Sequence, residues 1–168
     1  GSTGLVGTAL VSQLRQAGVQ VHYLTTTRDK IRTEPDYQGF YWDPSRNIID
    51  RDSFSGVSFV VNLAGASIAS RWTPEYRQKI QQSRVESLRT LKNGLVSLDN
   101  HAVEYVLSAS AIGIYASSLT EFYTEGSGQT DDGFLGETVR MWENAAMEVG
   151  QLGIPVGIFR IGLVLAGQ

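Results

Sequence analysis

Four short apolar runs stand out along the chain, separated by stretches in which apolar residues recur every three or four positions. Val19 to Leu24, Ser58 to Leu63, Val103 to Leu107 and Pro155 to Ile161 are near-continuous runs, not strict alternations, which is the pattern of strands buried on both faces of a parallel sheet. The stretches between them predict helices. Gly4 to Ala17 places Val6, Leu10, Leu14 and Ala17 at helical spacing, with Gly18 as a stop. Thr73-Pro74-Glu75 supplies an N-cap, a first-turn proline and an acid at the positive end of the dipole. The helix it opens runs to about Leu98, with Leu88, Leu91, Leu95 and Leu98 on one stripe. A third helix, over about Leu135 to Val149, turns Met141, Trp142, Ala145 and Val149 inward. Alternation of strand and helix predicts an α/β fold, a doubly wound parallel sheet with right-handed crossovers and flanking helices.

Two stretches break the pattern. Thr25 to Phe54 is polar, carries Pro35 and Pro44, and has room for one short strand around Gly39 to Trp42. Ala116 to Gly133, rich in Ser, Thr, Gly and Asp, reads as a surface loop over the strand ends. A helix opens at residue 4 with no strand before it, and the last strand ends near Leu165. The expectation is one incomplete domain over residues 1–168, lacking a first strand and a C-terminal part.

Composition narrows the chemistry. With 168 residues, 42% of them hydrophobic, the chain can bury one substantial core. Net charge is −3, from 14 basic and 17 acidic residues scattered along the chain, which makes nucleic acid a poor partner. The absence of cysteine excludes disulfides, thiolate metal sites and a thiol nucleophile. The only histidines are His22 and His101, which look structural or exposed, so no metal site is expected. No apolar run is long enough to span a membrane and no signal peptide opens the chain, so a cytoplasmic protein is expected.

The 18 glycines matter by position. Gly1-Ser2-Thr3-Gly4-Leu5-Val6-Gly7 is a G-x-x-G-x-x-G pattern that leads straight into a helix. It reads as a phosphate cradle: Gly1 and Gly4 permit a tight turn close to a pyrophosphate, and Gly7 permits close packing of the helix. Exposed N–H groups and the helix dipole would hold the negative charge. The alternative is a plain glycine-rich turn, and a Walker A loop is excluded because no Gly-Lys-Ser/Thr follows. NAD sites usually carry an acid roughly 20 residues past the glycines, at the end of the second strand. Here that strand runs into Thr25-Thr26-Thr27-Arg28. Hydroxyls and an arginine suit a ribose 2′-phosphate, so NADP is expected over NAD. A merely solvated Arg28 is the alternative, and Asp29 is the residue that could reverse the preference.

With Asn62-Leu63-Ala64-Gly65 after the next strand, the chain resembles the extended short-chain dehydrogenase/reductases. More narrowly, Asn62 to Ile68, Arg71-Trp72-Thr73 to Ser83-Arg84, and Ser108-Ala109-Ser110-Ala111-Ile112-Gly113-Ile114-Tyr115 resemble an atypical branch of the NAD(P)-dependent epimerase/dehydratase family that is described as sugar-nucleotide epimerase-like. Phe134 to Glu143 and Arg160 to Leu165 fit the same branch. The resemblance implies a Rossmann fold with a smaller C-terminal substrate domain. It implies that Gly1, Ser2, Thr3, Gly4, Leu5, Val6 and Gly7 wrap the pyrophosphate, with Thr25 and Arg28 at the adenosine ribose. Leu63, Ala64 and Gly65 would line the adenine and ribose path. Ser108, Ala109 and Ser110 would end a strand under the nicotinamide, and Ile161 and Gly162 would close over it. In relatives the arginine follows the strand more closely; here two extra threonines intervene. The long helix from Pro74 is where superfamily relatives often pair, which implies a homodimer.

The superfamily's usual proton transfer needs Tyr-x-x-x-Lys with a Ser or Thr. No tyrosine here is followed four residues later by lysine, and the third helix opens on Phe134-Leu135-Gly136-Glu137-Thr138. The candidate substitutes are Ser110 and Tyr115. A Ser110 hydroxyl that caps backbone at a strand end, and a Tyr115 packed with its hydroxyl on backbone, are their structural alternatives. Glu137 reads as a helix-dipole partner. Arg71 and Arg84 read as paired with Glu75 and Glu86 on a wet face, or as binders of an anionic substrate. Two functions stay open: an NAD(P)-dependent oxidoreductase or epimerase-like enzyme acting on a small polar substrate by nicotinamide hydride transfer, and a catalytically degenerate NADP(H)-binding protein that serves as redox sensor or scaffold.

Overall fold

The computed structural model describes residues 1–128 and 130–165. Among these, helix α1 (Leu5–Gln16) leads to strands β1 (Val21–Thr25), β2 (Thr33–Glu34), β3 (Tyr37–Asp43), β4 (Ile48–Ile49) and β5 (Phe59–Asn62). Helix α2 (Pro74–Val96), strand β6 (Tyr105–Ala111), helix α3 (Phe134–Gly150) and strand β7 (Val156–Ile161) follow. The strands form two sheets. In one, β1 and β3 run parallel, with Val21 opposite Tyr37 and Thr25 opposite Tyr41, while the two-residue strands β2 and β4 pair antiparallel with β3. In the other, β5, β6 and β7 are all parallel, with β6 in the middle. The fold is α/β, with parallel strands and flanking helices, as the alternation predicts.

Helix α2 joins the two sheets. Its cap forms as the sequence predicts: the Thr73 hydroxyl accepts from the Tyr76 amide at 3.3 Å, with Pro74 at the first position. Its Leu88, Leu91 and Leu95 are buried in one cluster with Trp42 and Phe54 from the first sheet side and Val106, Trp142 and Val149 from the second. Gly94 lets this happen, because a Cβ there would lie 2.8 Å from both Ile49 Cγ2 and Phe54 Cε2. Gly94→Val is therefore expected to lower stability by about 2 kcal/mol through overpacking. An unchanged urea midpoint would contradict so close an approach.

Four expectations are corrected. Strand β5 is not buried on both faces: Phe59 is 63% exposed and Val61 40%. Both line an apolar groove of about 790 Å³ that separates β5 from β1 and is walled by Leu10, Val11 and Leu14 of α1. The stripe on α1 accordingly meets this groove, and only Gly7 of that helix is buried. Met141 points outward at 40% exposure, whereas Trp142, Ala145 and Val149 are inward. The polar stretch after β1 holds three strands where one short strand is predicted. No helix among the described residues is long and apolar enough to cross a membrane.

Candidate functional site

The seven-residue glycine loop folds into an open turn. The Gly4 amide donates to the Gly1 carbonyl at 3.1 Å, and the Thr8 amide donates to Gly4 at 2.8 Å as the first helical bond. Gly4 caps α1 with extended backbone, no side-chain cap and no acid in the first turn. The amides of Leu5, Val6 and Gly7 thus open the helix without an intrahelical acceptor, and the dipole there is uncompensated. A Cβ on Gly7 would lie 2.0 Å from the Gly1 carbonyl oxygen, and one on Gly1 would lie 2.6 Å from Leu63 Cβ. Gly4 is less crowded, its nearest neighbour being the Gly1 oxygen at 3.4 Å. The residues present therefore fit a diphosphate: a tight loop with no room for a Cβ at Gly1 or Gly7, first-turn donors without an intrahelical acceptor, and no competing carboxylate in the first turn.

The contact between Gly1 and Leu63 brings the end of β5 against this loop. The turn after β5 is pinned to α2. Asn62, buried, receives the Ala64 amide on Oδ1 at 3.2 Å and donates to Ser87 Oγ at 3.4 Å, and the Ala66 amide donates to Ser83 Oγ at 2.8 Å. Arg84 completes the clamp by donating to the carbonyls of Ala66 (3.2 Å) and Ile80 (2.9 Å), with its guanidinium 5.0 Å from the Trp142 ring and against Gly65. Burial lowers the Arg84 pKa from its ordinary value. This corrects the expected wet-face pairing: among the described residues neither Arg71 nor Arg84 pairs with Glu75 or Glu86.

Beyond β1, Thr25 Oγ1 accepts from the Thr27 amide at 3.2 Å. Arg28 follows in an exposed 3₁₀ turn, Arg28–Lys30, and its guanidinium lies 3.9 Å from the centre of the Tyr41 ring. This pair sits on the first sheet, across the groove from β5, so the structure does not join it directly to the Gly1–Leu63 contact.

The second sheet gathers the catalytic candidates. Ser108 and Ser110 share the buried face of β6. Ser108 Oγ donates to the neighbouring Ala109 carbonyl at 3.0 Å. Ser110 is 3% exposed, and its hydroxyl donates not to backbone but to Glu143 Oε1 of α3 at 2.6 Å. Glu143 in turn forms a bidentate pair with Arg160 of β7, with Nε to Oε1 and Nη2 to Oε2 both at 2.9 Å. Arg160 Nη1 donates to the Tyr115 hydroxyl at 2.7 Å and to the Glu125 carbonyl at 3.1 Å, so Tyr115 too bonds a side chain where backbone is expected. Its ring stacks on Tyr123 at 5.2 Å. Because Oη accepts from Arg160, the phenol keeps its own proton to donate. Burial pushes the Glu143 pKa up, but hydrogen bonds from Arg160 and Ser110 outweigh this and hold it below its ordinary value. The bond to Glu143, with that to Tyr115, raises the Arg160 pKa.

Ile161 pairs with Ala111 at the end of β7, and a Cβ on Gly162 would lie 3.5 Å from Ile112. Both therefore flank the turn Ile112–Ile114 that leads to Tyr115. Phe134, where a proton-transferring tyrosine would be sought, stacks edge-on with Trp72 at 5.3 Å and lies under Arg77 at 5.1 Å. Glu137 is in the first turn of α3, as a dipole partner should be. The sequence reading passes over Glu143 and Arg160 as site residues. The available signal was Arg160 itself, a charge inside the otherwise apolar run from Val156 to Ile161.

Comparison with known proteins gives the family. Residues 1–133 match the NAD dependent epimerase/dehydratase family. The chain is 34% identical over all 168 residues to an epimerase family protein of Staphylococcus haemolyticus, covering 54% of it, and 33% identical to one of Staphylococcus aureus, covering 55%. It thus spans about half the length of these curated relatives. Among solved structures it is similar to the nucleoside-diphosphate sugar epimerase from Corynebacterium glutamicum, with TM-score 0.77, 30% identity, and coverage of 99% of this chain and 33% of that one. Human epimerase family protein SDR39U1 (isoform 2) with NADPH shares the fold at TM-score 0.74 and 23% identity, with coverage of 99% of this chain and 53% of that one. A glycine loop opening α1, an Asn62-headed turn against it and a family match over four-fifths of its length lead to one assignment: the chain belongs to the NAD dependent epimerase/dehydratase family.

Proposed function

We propose that these residues form the dinucleotide-binding part of an NADP(H)-dependent oxidoreductase or epimerase-like enzyme acting on a small polar substrate. The observation that carries this reading is the Gly1–Gly7 loop, whose first-turn amides have no acceptor and whose backbone leaves no room for a Cβ at Gly1 or Gly7. Gly1 to Gly7 would hold the diphosphate, Leu63 to Gly65 the ribose path, and Ser108, Ala109, Ile161 and Gly162 the nicotinamide end. Thr25 and Arg28 favour NADP over NAD. Relatives support NAD(P) in general: the human neighbour carries NADPH, while the UDP-glucuronic acid 4-epimerase from Bacillus cereus carries NAD. When bound, the nicotinamide supplies hydride transfer at C4. Tyr115, with its proton available and its oxygen held by Arg160, is the candidate donor to a substrate oxygen. Ser110 acts through Glu143.

A second reading, an NADP(H)-binding sensor or scaffold without turnover, is favoured by two observations: Phe134 cannot transfer a proton, and the Ser110 hydroxyl is already committed to a carboxylate. Nicotinamide fluorescence on the full-length protein decides between them. The enzyme reading expects NADPH binding followed by hydride loss to at least one member of a carbonyl panel, lost in Tyr115→Phe. Tight binding with no turnover across the panel supports the sensor, and no binding sinks both. Arg28→Ala is expected to weaken NADPH by roughly 10- to 100-fold, the scale of a lost charge-assisted phosphate contact, with NADH little changed. Equal loss of both cofactors would refute the NADP preference.

A further inference from the structure

Arg28 is held by a ring and not by hydrogen bonds, an arrangement it shares with Arg77 over Phe134. Arg15 spends its N–H donors on Glu34 and Asp36, Arg84 on two carbonyls, Arg160 on Glu143, Tyr115 and Glu125, and Arg32 on the carbonyls of Asp29 and Ile31. The Arg28 side chain makes no hydrogen bond or ion pair among the described residues. It is exposed, yet its guanidinium carbon lies over the Tyr41 ring, 3.9 Å from the centroid and well inside cation–π range. A contact with a ring uses none of the five N–H donors of the guanidinium, so they stay unspent. An arginine held this way is oriented without being satisfied.

The backbone beneath it is also fixed. Tyr23 is buried in β1, in space that exists because Gly39 of β3 has no side chain; a Cβ there would lie 2.5 Å from the Tyr23 ring. The Tyr23 hydroxyl donates to the Lys30 carbonyl and accepts from the Arg32 amide, both at 2.7 Å. That ties the far end of the turn carrying Arg28 to the strand. Tyr41 stands directly opposite Thr25 in the β1–β3 register, so its ring rises beside the end of β1. Lys30 in the turn and Arg32 just beyond it add two cations against the single acid Asp29.

We propose that Tyr41 is a specificity-determining residue, the platform that holds the Arg28 guanidinium edge-on to a ribose 2′-phosphate. The proposal rests on the reading that this chain binds NADP(H), and it adds a residue the strand-end motif does not contain. Tyr41 does not touch the cofactor's reacting atoms. It lowers the entropy lost when a long exposed side chain is ordered at a ligand.

The test is a set of dissociation constants for NADPH and NADH with full-length protein, by nicotinamide fluorescence, for wild type, Tyr41→Leu, Tyr41→Phe, Arg28→Ala and the Tyr41→Leu/Arg28→Ala pair. Tyr41→Leu is expected to weaken NADPH roughly two- to fivefold, the size of an exposed cation–π contact, and to leave NADH unchanged. Tyr41→Phe, which keeps the ring, should retain the wild-type ratio. In the Arg28→Ala background, Tyr41→Leu should have no further effect on NADPH. If Arg28→Ala removes the preference for NADPH while Tyr41→Leu does not, the platform is refuted and the cofactor reading stands. If Tyr41→Leu lowers both cofactors equally, or Tyr41→Phe behaves like Tyr41→Leu, Tyr41 supports the fold alone and the proposal fails. A wild type that does not prefer NADPH overturns the NADP reading itself, and the platform with it.

Discussion

Gly7→Ala is expected to weaken NADPH binding by about two orders of magnitude or more, the scale of losing two charge-assisted hydrogen bonds. The added carbon would meet the Gly1 carbonyl oxygen at 2.0 Å, the Gly1 carbonyl carbon at 2.8 Å and Ser2 Cα at 2.9 Å. All three are backbone atoms, so no rotamer change relieves the clash, and the loop must open. Opening it breaks the turn closed by the Gly4 amide on Gly1 and re-aims the first-turn donors. Gly4→Ala makes the informative contrast. Its nearest protein atom would be 3.4 Å away, so the protein itself tolerates the methyl group. If Gly4→Ala leaves the melting temperature unchanged yet loses NADPH, the obstruction is between the methyl group and the ligand. Wild-type affinity in Gly7→Ala would show that the diphosphate lies elsewhere.

The second large effect is on stability. Glu143→Ala should destabilise the fold by about 1–3 kcal/mol, because it leaves the Ser110 hydroxyl and two donors of Arg160 without an acceptor, while Arg160 keeps its bonds to Tyr115 and Glu125. The Glu143 and Arg160 side chains are 13% and 23% exposed, so solvent screening removes only part of this. Glu143→Gln keeps an acceptor for Ser110 and should cost clearly less. The pH dependence has a definite sign. The Glu143 pKa is lower in the folded state than its ordinary value, so its contribution is complete above about pH 4.3 and fades as pH falls through the lowered value. Urea unfolding of wild type and Glu143→Gln should therefore converge as pH is lowered below about 4. A stability gap that stays constant down to pH 3 would show that Glu143 is not held as a carboxylate by Arg160.

Where local chemistry decides an element, this sequence is readable. Thr73-Pro74-Glu75 starts α2 where the cap motif says it should, and Leu88, Leu91 and Leu95 are buried as their spacing requires. The glycine loop opens α1 at the expected place, one residue on. Legibility fails where partners distant in sequence decide the outcome. The strand expected around Gly39 to Trp42 forms but extends over Tyr37–Asp43, because Phe40 and Trp42 find buried places and Gly39 admits Tyr23, and its two-residue partners β2 and β4 carry no signal of their own. Phe59 and Val61 read as core but face the groove. Ser110 and Tyr115 were individually visible as polar groups near a strand end. The carboxylate and guanidinium that connect them, Glu143 and Arg160, come from a helix and a strand beyond the Ser/Thr/Gly-rich loop, and no spacing rule links the four. Arg84 was visible as a charge, but only the structure shows it turned inward to carbonyls and an indole.

One helix has a consequence for how the fold comes apart. The leucines of α2 pack Trp42 and Phe54 together with Val106, Trp142 and Val149. Shortening Leu91 to alanine should therefore loosen the aromatic residues on both of its sides at once.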